Sequence, residues 1–208
     1  MDVMQLATQE RSDLADLLET LTPEQWRTPS LCEGWTVHDV VAHVVSYEEH
    51  QGELVRRLVR AGGRPWRLND VALSDYAQRS PEELVAFLRA HLRPVGTTAA
   101  LGGRVGLTDA LIHHQDIRRP LALAREVPPE RLRVVLPFCV AAPPVRGFWH
   151  ARGVRLVAED VGGTSWSWGR GPQARGPAEA VLMALAGRRG AAKDLEGPGR
   201  EILLDRLG

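Results

Sequence analysis

Apolar side chains recur at helical spacing through the first two-thirds of this 208-residue chain, and this period limits the fold more than any other feature. A stripe of valines after Thr36, for example, lies on one face of a helix that Thr36 can cap. The five helices predicted from the period cover about residues 2–20, 36–61, 80–93, 103–118 and 129–142. Amphipathic helices of this kind bury their apolar stripes against each other as a bundle.

Near residue 154 the period changes from helical to alternating. Apolar residues occupy every second position over residues 154–158, and residues 165–168 alternate as well, with two glycines between them as the turn of a hairpin. A short apolar helix is predicted over residues 178–186. The predicted fold is therefore mainly α, with a helical bundle over residues 1–146 followed by a small α+β domain over residues 147–208.

The charged residues exclude several kinds of chemistry. Basic and acidic side chains number 26 each, so no basic excess is available for binding nucleic acid. Lys193 is the sole lysine, which leaves little room for Schiff-base catalysis or a phosphate-binding P-loop. No GxGxxG motif begins a helix either, so a nucleotide site is not expected.

Neither a secretory leader nor a membrane span is recognisable in the sequence. The N-terminus has no basic stretch followed by an apolar one, and prolines interrupt the longest apolar runs. Cys32 and Cys139 match no metal-binding or disulfide spacing, and Cys32 is interpreted as a small buried loop residue rather than a reactive thiol. We therefore expect a cytoplasmic protein with no nucleic-acid or membrane partner.

Asp109 and His113 lie four residues apart on a predicted helix, so both side chains project from one face. Such a pair can hold one metal ion, or it can be an ordinary charged pair on a solvated helix. His43 borders the valine stripe of the second helix and could be a further ligand or a hydrogen-bonded core histidine. Two histidines and a carboxylate on facing helices would leave coordination positions open, as catalytic metal sites do.

Other polar residues near this pair have less specific interpretations. Asp116 could accept the free ring N–H of His113, or it could pair with Arg119. His114 points about 100° away from His113 around the helix, so it is expected either to support the ligands from behind or to lie at the surface. Three further histidines interpreted as surface residues are His50, His91 and His150.

Two segments of the chain resemble one known family. Residues 30–43 resemble the GWTVxDVxAHL signature of the mycothiol-dependent maleylpyruvate isomerase family, which belongs to the DinB-like four-helix-bundle metalloenzymes. Residues 109–119 resemble the second signature of that family, E/DxxxHHxD. The C-terminal domain of the family is similar to residues 153–160, 166–169 and 176–188. The resemblance therefore covers nearly the whole chain, with the motifs in the expected order.

The resemblance implies a DinB-like bundle whose metal ligands fall on His43, Asp109 and His113, with Asp116 and His114 behind them. The implied ion is divalent, with zinc as the first expectation. The family has Glu where this chain has Asp109, and the shorter side chain must lie closer to the ion or reach it through water. Which residues are catalytic beyond these ligands does not follow from the sequence.

The resemblance also implies an activity. The expected enzyme uses a metal ion to activate a low-molecular-weight thiol such as mycothiol, and transfers it to, or isomerises, a small electrophilic substrate. The alternative is a non-catalytic module that binds a metal or a small molecule. A monomer and a homodimer are both open, and the excess of arginine suggests an actinobacterial source if it reflects a GC-rich genome.

Overall fold

The computed structural model describes residues 2–48 and 51–208, without the side chains of Gln51 and Pro65. The chain divides into two structural units, Met1–Ala124 and Arg125–Gly208. The sequence analysis placed the division after residue 146. The second unit begins earlier because the helix Pro129–Ala141 packs within it, against the helix Ala178–Leu185.

The first unit is helical, as predicted. Its helices in the described residues are α1 (Val3–Leu18), α2 (Pro23–Arg27), α3 (Val37–Ser46), α4 (Gln51–Arg60), α5 (Leu68–Tyr76), α6 (Pro81–Ala90) and α7 (Arg104–Arg118). Short 3₁₀ turns lie at Pro65–Arg67 and Ala100–Gly103. Helices α1, α3, α6 and α7 form the four-helix bundle, since α1 and α3 each pack against both α6 and α7. Within the described residues, no helix is long and apolar enough to cross a membrane.

Helix α3 shows how the local sequence begins a helix of the bundle. The Thr36 hydroxyl accepts the Asp39 N–H at 3.2 Å, and the Asp39 carboxylate accepts the Thr36 N–H at 2.9 Å, so the two residues cap the helix reciprocally. Valines are weak helix formers, so packing against neighbouring helices must stabilise α3. Its buried valines are Val37, Val40, Val41, Val44 and Val45.

The second predicted helix is interrupted in the structure. Helix α3 ends at Ser46 and a turn follows at residues 47–48, while residues 49–50, and with them His50, lie outside the described residues. The Glu48 carboxylate is buried at this turn and receives hydrogen bonds or an ion pair from Arg11, Val95 and Thr98. These contacts stabilise the turn in place of a further helical turn.

The second unit contains the predicted hairpin and one strand that the sequence did not indicate. Its elements are α8 (Pro129–Ala141), α9 (Gly147–Ala151), β1 (Arg155–Ala158), β2 (Trp166–Trp168), β3 (Gln173–Gly176), α10 (Ala178–Leu185), α11 (Arg189–Ala192) and α12 (Gly199–Arg206). Strand β1 is central, antiparallel to β2 and parallel to β3. β3 has a single apolar residue other than glycine, Ala174, so no alternation was visible. Helix α10 packs on β1 and completes the α+β domain.

Candidate metal centre

Helices α3 and α7 bring the three predicted metal ligands together. Asp109 Oδ1 lies 3.6 Å from His43 Nε2 and 3.5 Å from His113 Nε2. The two imidazole rings are 4.8 Å apart at their centroids and inclined by 76°. One potential ligand atom of each residue lies within 4.8 Å of the others. Asp109 therefore reaches both imidazoles about equally, although it is one methylene shorter than Glu.

These separations suit metal coordination better than hydrogen bonding. Hydrogen bonds of the N–H···O type are about 2.7–3.2 Å long, and both contacts of Asp109 Oδ1 are longer. Ligand atoms held at about 2.0–2.1 Å around a tetrahedral zinc ion are about 3.3–3.4 Å apart. The other carboxylate oxygen, Asp109 Oδ2, is buried with no hydrogen-bond partner among the described residues. A cation would relieve that unsatisfied charge, so the residues present fit a divalent ion.

Burial and neighbouring charges act differently on the two histidines. Burial lowers the pKa of His43 below its ordinary value, against the opposing effect of Asp109. Burial also lowers the pKa of His113, but the Asp109 and Asp116 carboxylates outweigh it and raise the pKa to about 10. Burial raises the pKa of Asp109, whereas His113 and His43 lower it, and the net shift is downward. Asp109 is therefore ionised, as a metal ligand must be.

Asp116 holds His113 from the side opposite to Asp109. Its fully buried Oδ2 atom lies 2.9 Å from His113 Nδ1, the contact that their spacing allowed. A carboxylate oxygen accepts the Nδ1 proton, so Nε2 is the nitrogen that can release its proton and bind an ion. The Cys32 sulfur lies 3.1 Å from the same Asp116 oxygen and 3.8 Å from His113 Nδ1. Cys32, His113 and Asp116 thus form a second group of possible ligand atoms.

His114 is completely buried, which corrects the surface position that the sequence left open. Its Nδ1 atom lies 2.8 Å from Glu10 Oε1, and Arg118 Nε donates to its Nε2 atom at 2.8 Å. The ring is buried because α1 packs along α7, which brings Glu10 over it. Neither of these two contacts involves His43, Asp109 or His113. The contact with Glu10 ties α1 to α7, and the contact with Arg118 lies within α7.

Helix α1 carries buried charges that the sequence analysis does not predict. Glu10 and Arg11 are both fully buried, and Arg11 Nη1 lies 2.7 Å from Glu48 Oε1. Arg11 also lowers the pKa of Asp109 through its positive charge. The signal was present in the sequence: both residues lie three or four positions from Ala7 and from Leu14, on the apolar face of the helix.

Aromatic rings flank His43, and two other histidines are less exposed than expected. Trp35 and Tyr47 each have a ring centroid 5.1 Å from that of His43. His91 and His150 were interpreted as surface residues, but both are half-buried. A ring nitrogen of each lies 2.8 Å and 2.7 Å, respectively, from a backbone carbonyl oxygen, so hydrogen bonding to the main chain explains them without a ligand.

Part of the first unit matches a known protein family. Residues 7–101 match the family model described as the mycothiol maleylpyruvate isomerase N-terminal domain. The resemblance seen in the sequence is confirmed. The matched segment contains His43 and ends before Asp109.

Two crystal structures show a similar fold. One is a mutant of the mycothiol-dependent maleylpyruvate isomerase, with a TM-score of 0.63 and 16% identity, and 94% of this chain aligns with 91% of that chain. The other is the mycothiol-dependent maleylpyruvate isomerase, with a TM-score of 0.56, 15% identity and the same coverage. The search of curated proteins gave no match. At these identities the structural likeness establishes the fold.

Proposed function

We propose that this protein is a divalent-metal-dependent enzyme that uses a low-molecular-weight thiol of the mycothiol type. The thiol would be transferred to a small electrophilic substrate, or would take part in its isomerisation. One observation carries the proposal: His43 Nε2, His113 Nε2 and Asp109 Oδ1 converge between two helices of the bundle. The family match over residues 7–101 and the fold shared with maleylpyruvate isomerase structures support it. The proposed compartment is the cytoplasm.

His43, Asp109 and His113 would hold the ion. Two nitrogens and one oxygen suit zinc, and three protein ligands leave a position open for a further ligand. When bound there, a divalent ion supplies Lewis acidity that lowers the pKa of a coordinated thiol. The exposed fractions of the side chains are 10% for His43, 11% for His113 and 21% for Asp109, so the group retains access from solvent.

The protein's own charges favour an anionic ligand at the open position. Asp109 contributes one negative charge, and both histidines must be neutral at the nitrogen that binds the ion. A divalent ion in this group therefore keeps a net positive charge, which suits a thiolate or a carboxylate. Asp116 keeps a proton of His113 on Nδ1, so that the ion would displace the proton of Nε2. Trp35 and Tyr47 pack around His43 and limit the access of water to it.

Metal content tests the first half of the proposal. Untagged protein is stripped with a chelator and titrated with Zn²⁺ in competition with a chromophoric chelator. We expect one ion per chain for the wild type, and affinity reduced by more than about 100-fold for His43→Ala and His113→Ala, because each removes one ligand. His38→Ala is the matched control, since His38 lies on the same helix and contacts the Arg79 carbonyl oxygen instead. Little metal in the wild type, unchanged by the ligand variants, would refute metal dependence.

Thiol dependence is tested separately on the zinc-loaded protein. Thermal unfolding is followed with mycothiol at millimolar concentration, and turnover is followed with mycothiol and small unsaturated keto acids. We expect a rise in Tm with the thiol and turnover that requires both metal and thiol. Stoichiometric metal binding without any effect of the thiol would support the alternative, a non-catalytic binding module.

A further inference from the structure

The loop before α3 contacts the residue that orients His113. The Leu31 N–H donates to the backbone carbonyl of Asp116 at 3.1 Å, and the Cys32 sulfur lies 3.1 Å from Asp116 Oδ2. Asp116 is thus held by one loop through both its main chain and its side chain. The loop and Asp116 are 84 residues apart in sequence, so the contact depends on the bundle being formed.

Hydrogen bonds within the loop fix the position of Cys32. The Ser30 hydroxyl oxygen accepts the Cys32 N–H at 3.1 Å and donates to the Trp35 carbonyl at 2.9 Å. The Trp35 N–H in turn donates to the Cys32 carbonyl at 3.0 Å. Gly34 completes the turn with a φ of 76°, a conformation that glycine adopts readily. The Cys32 side chain therefore projects from a closed turn.

The distances around Asp116 Oδ2 indicate hydrogen bonds rather than a second metal site. Oδ2 lies 2.9 Å from His113 Nδ1 and 3.1 Å from the Cys32 sulfur. Nitrogen, oxygen and sulfur ligands around one zinc ion would be about 3.3–3.6 Å apart. A carboxylate oxygen can only accept, so Nδ1–H and Sγ–H both donate to it.

We propose that Cys32 is a positioning residue for the metal centre. Its S–H holds the Asp116 carboxylate in the orientation that accepts the His113 Nδ1 proton, and His113 Nε2 thereby stays directed at Asp109 and His43. The inference rests on the proposed function, because it is measured through the affinity for the ion that His113 Nε2 is proposed to bind. Loss of a residue that directly supports a metal ligand weakens metal affinity about 10–100-fold. Cys32 acts one contact further away, so its loss should weaken affinity about 3–10-fold.

A double-mutant cycle on zinc affinity tests the role without relying on activity. Cys32→Ala should weaken Zn²⁺ binding about 3–10-fold. Cys32→Ser keeps a donor and should restore the affinity to within about twofold of the wild type. In an Asp116→Asn background, Cys32→Ala should have no further effect, because its partner carboxylate is gone. Cys139→Ala, which removes the other cysteine, should leave the affinity unchanged.

Several outcomes would overturn the positioning role. Wild-type affinity in Cys32→Ala, together with loss of binding in His113→Ala, would show that Cys32 does not act on the centre. If Cys32→Ala weakens Zn²⁺ binding as much in the Asp116→Asn background as in the wild type, Cys32 does not act through Asp116. A thiolate-to-metal charge-transfer band in the Co²⁺-loaded wild type, absent from Cys32→Ser, would make Cys32 a ligand instead.

Controls separate this inference from the proposed function. Absence of Zn²⁺ binding by the wild type would refute metal dependence and the positioning role together, before any Cys32 variant is considered. Circular dichroism confirms that each variant is folded. If Cys32→Ala fails to fold, Cys32→Val takes its place, since it also lacks a donor but fills the space of the sulfur, and the same 3–10-fold loss is expected.

Discussion

The buried ion pair between Arg11 and Glu48 gives the sharpest prediction about stability. Both side chains are completely shielded from solvent, and Arg11 Nη1 lies 2.7 Å from Glu48 Oε1. Glu48 also accepts the Val95 N–H at 2.9 Å and the Thr98 hydroxyl at 2.7 Å. Glu48→Gln removes the negative charge, retains one acceptor oxygen and leaves the arginine charge buried without its counter-ion.

The expected loss is large because the remaining charge cannot reach water. Removal of one partner from a buried pair lowers the free energy of unfolding by about 3–5 kcal/mol. For a chain of this length, such a loss lowers Tm by about 6–20 °C. Arg11→Met should have a comparable effect, since it leaves the Glu48 carboxylate with neutral donors alone. The double variant should lose less stability than the sum of the two single variants.

Urea unfolding followed by circular dichroism measures all three variants against the wild type. Arg89→Met is the matched control, because Arg89 pairs at 2.8 Å with Glu19, the residue that follows α1, and both side chains are accessible to solvent. Its loss should stay within about 1 kcal/mol. The interpretation of the pair would be refuted if each single variant lowered the free energy of unfolding by less than about 1 kcal/mol. It would also be refuted if the loss in the double variant equalled the sum of the two single losses.

Three further predictions concern the bundle and its metal centre. His114→Leu removes the imidazole that contacts the buried Glu10 and the half-buried Arg118, and should lower the free energy of unfolding by about 2–4 kcal/mol in urea titrations, with zinc affinity within about threefold of wild type. A larger affinity loss would show that His114 does support the ligands. Val44→Ala removes fully buried methyl groups and should cost about 1–2.5 kcal/mol, whereas Val55→Ala, at a side chain that is 63% exposed, should change the same measurement by under about 0.5 kcal/mol. Asp109→Glu should retain zinc binding in chelator competition because it keeps a carboxylate, and Asp109→Asn should lose most of it; equal affinity of the two variants would contradict ligation by the carboxylate.

Local signals in the sequence account for much of the fold. The capping residues Thr36 and Ser80 begin α3 and α6 as predicted, and the alternating pattern identified the hairpin of the second unit. Helix α5 was not predicted, because the side chain of its N-cap residue, Arg67, makes no capping hydrogen bond and few residues of the helix are buried. The end of α3 was missed because Glu48 is held by partners that are distant in sequence.

Some residues of the candidate site could likewise be predicted from the sequence, and others could not. Asp109 and His113 were visible as neighbours because a helix repeats every 3.6 residues. His43 was a candidate from its place beside the valine stripe, and the resemblance to the family favoured it as a ligand. Cys32 remained an ordinary loop residue in the sequence, since only the folded bundle brings its sulfur to Asp116. The burial of His114 depends on Glu10, which precedes it by 104 residues, so no local pattern could reveal it.

The loop between Thr28 and Thr36 has a consequence for how the centre assembles. Its Cys32 reaches His113 through Asp116, and its Trp35 packs on the ring of His43. One short segment therefore constrains both imidazoles, although it contributes none of the three proposed ligands. If the centre binds an ion as proposed, closure of the turn and ion binding would be thermodynamically linked, and substitutions in the loop would change metal affinity while the ligands stay as they are.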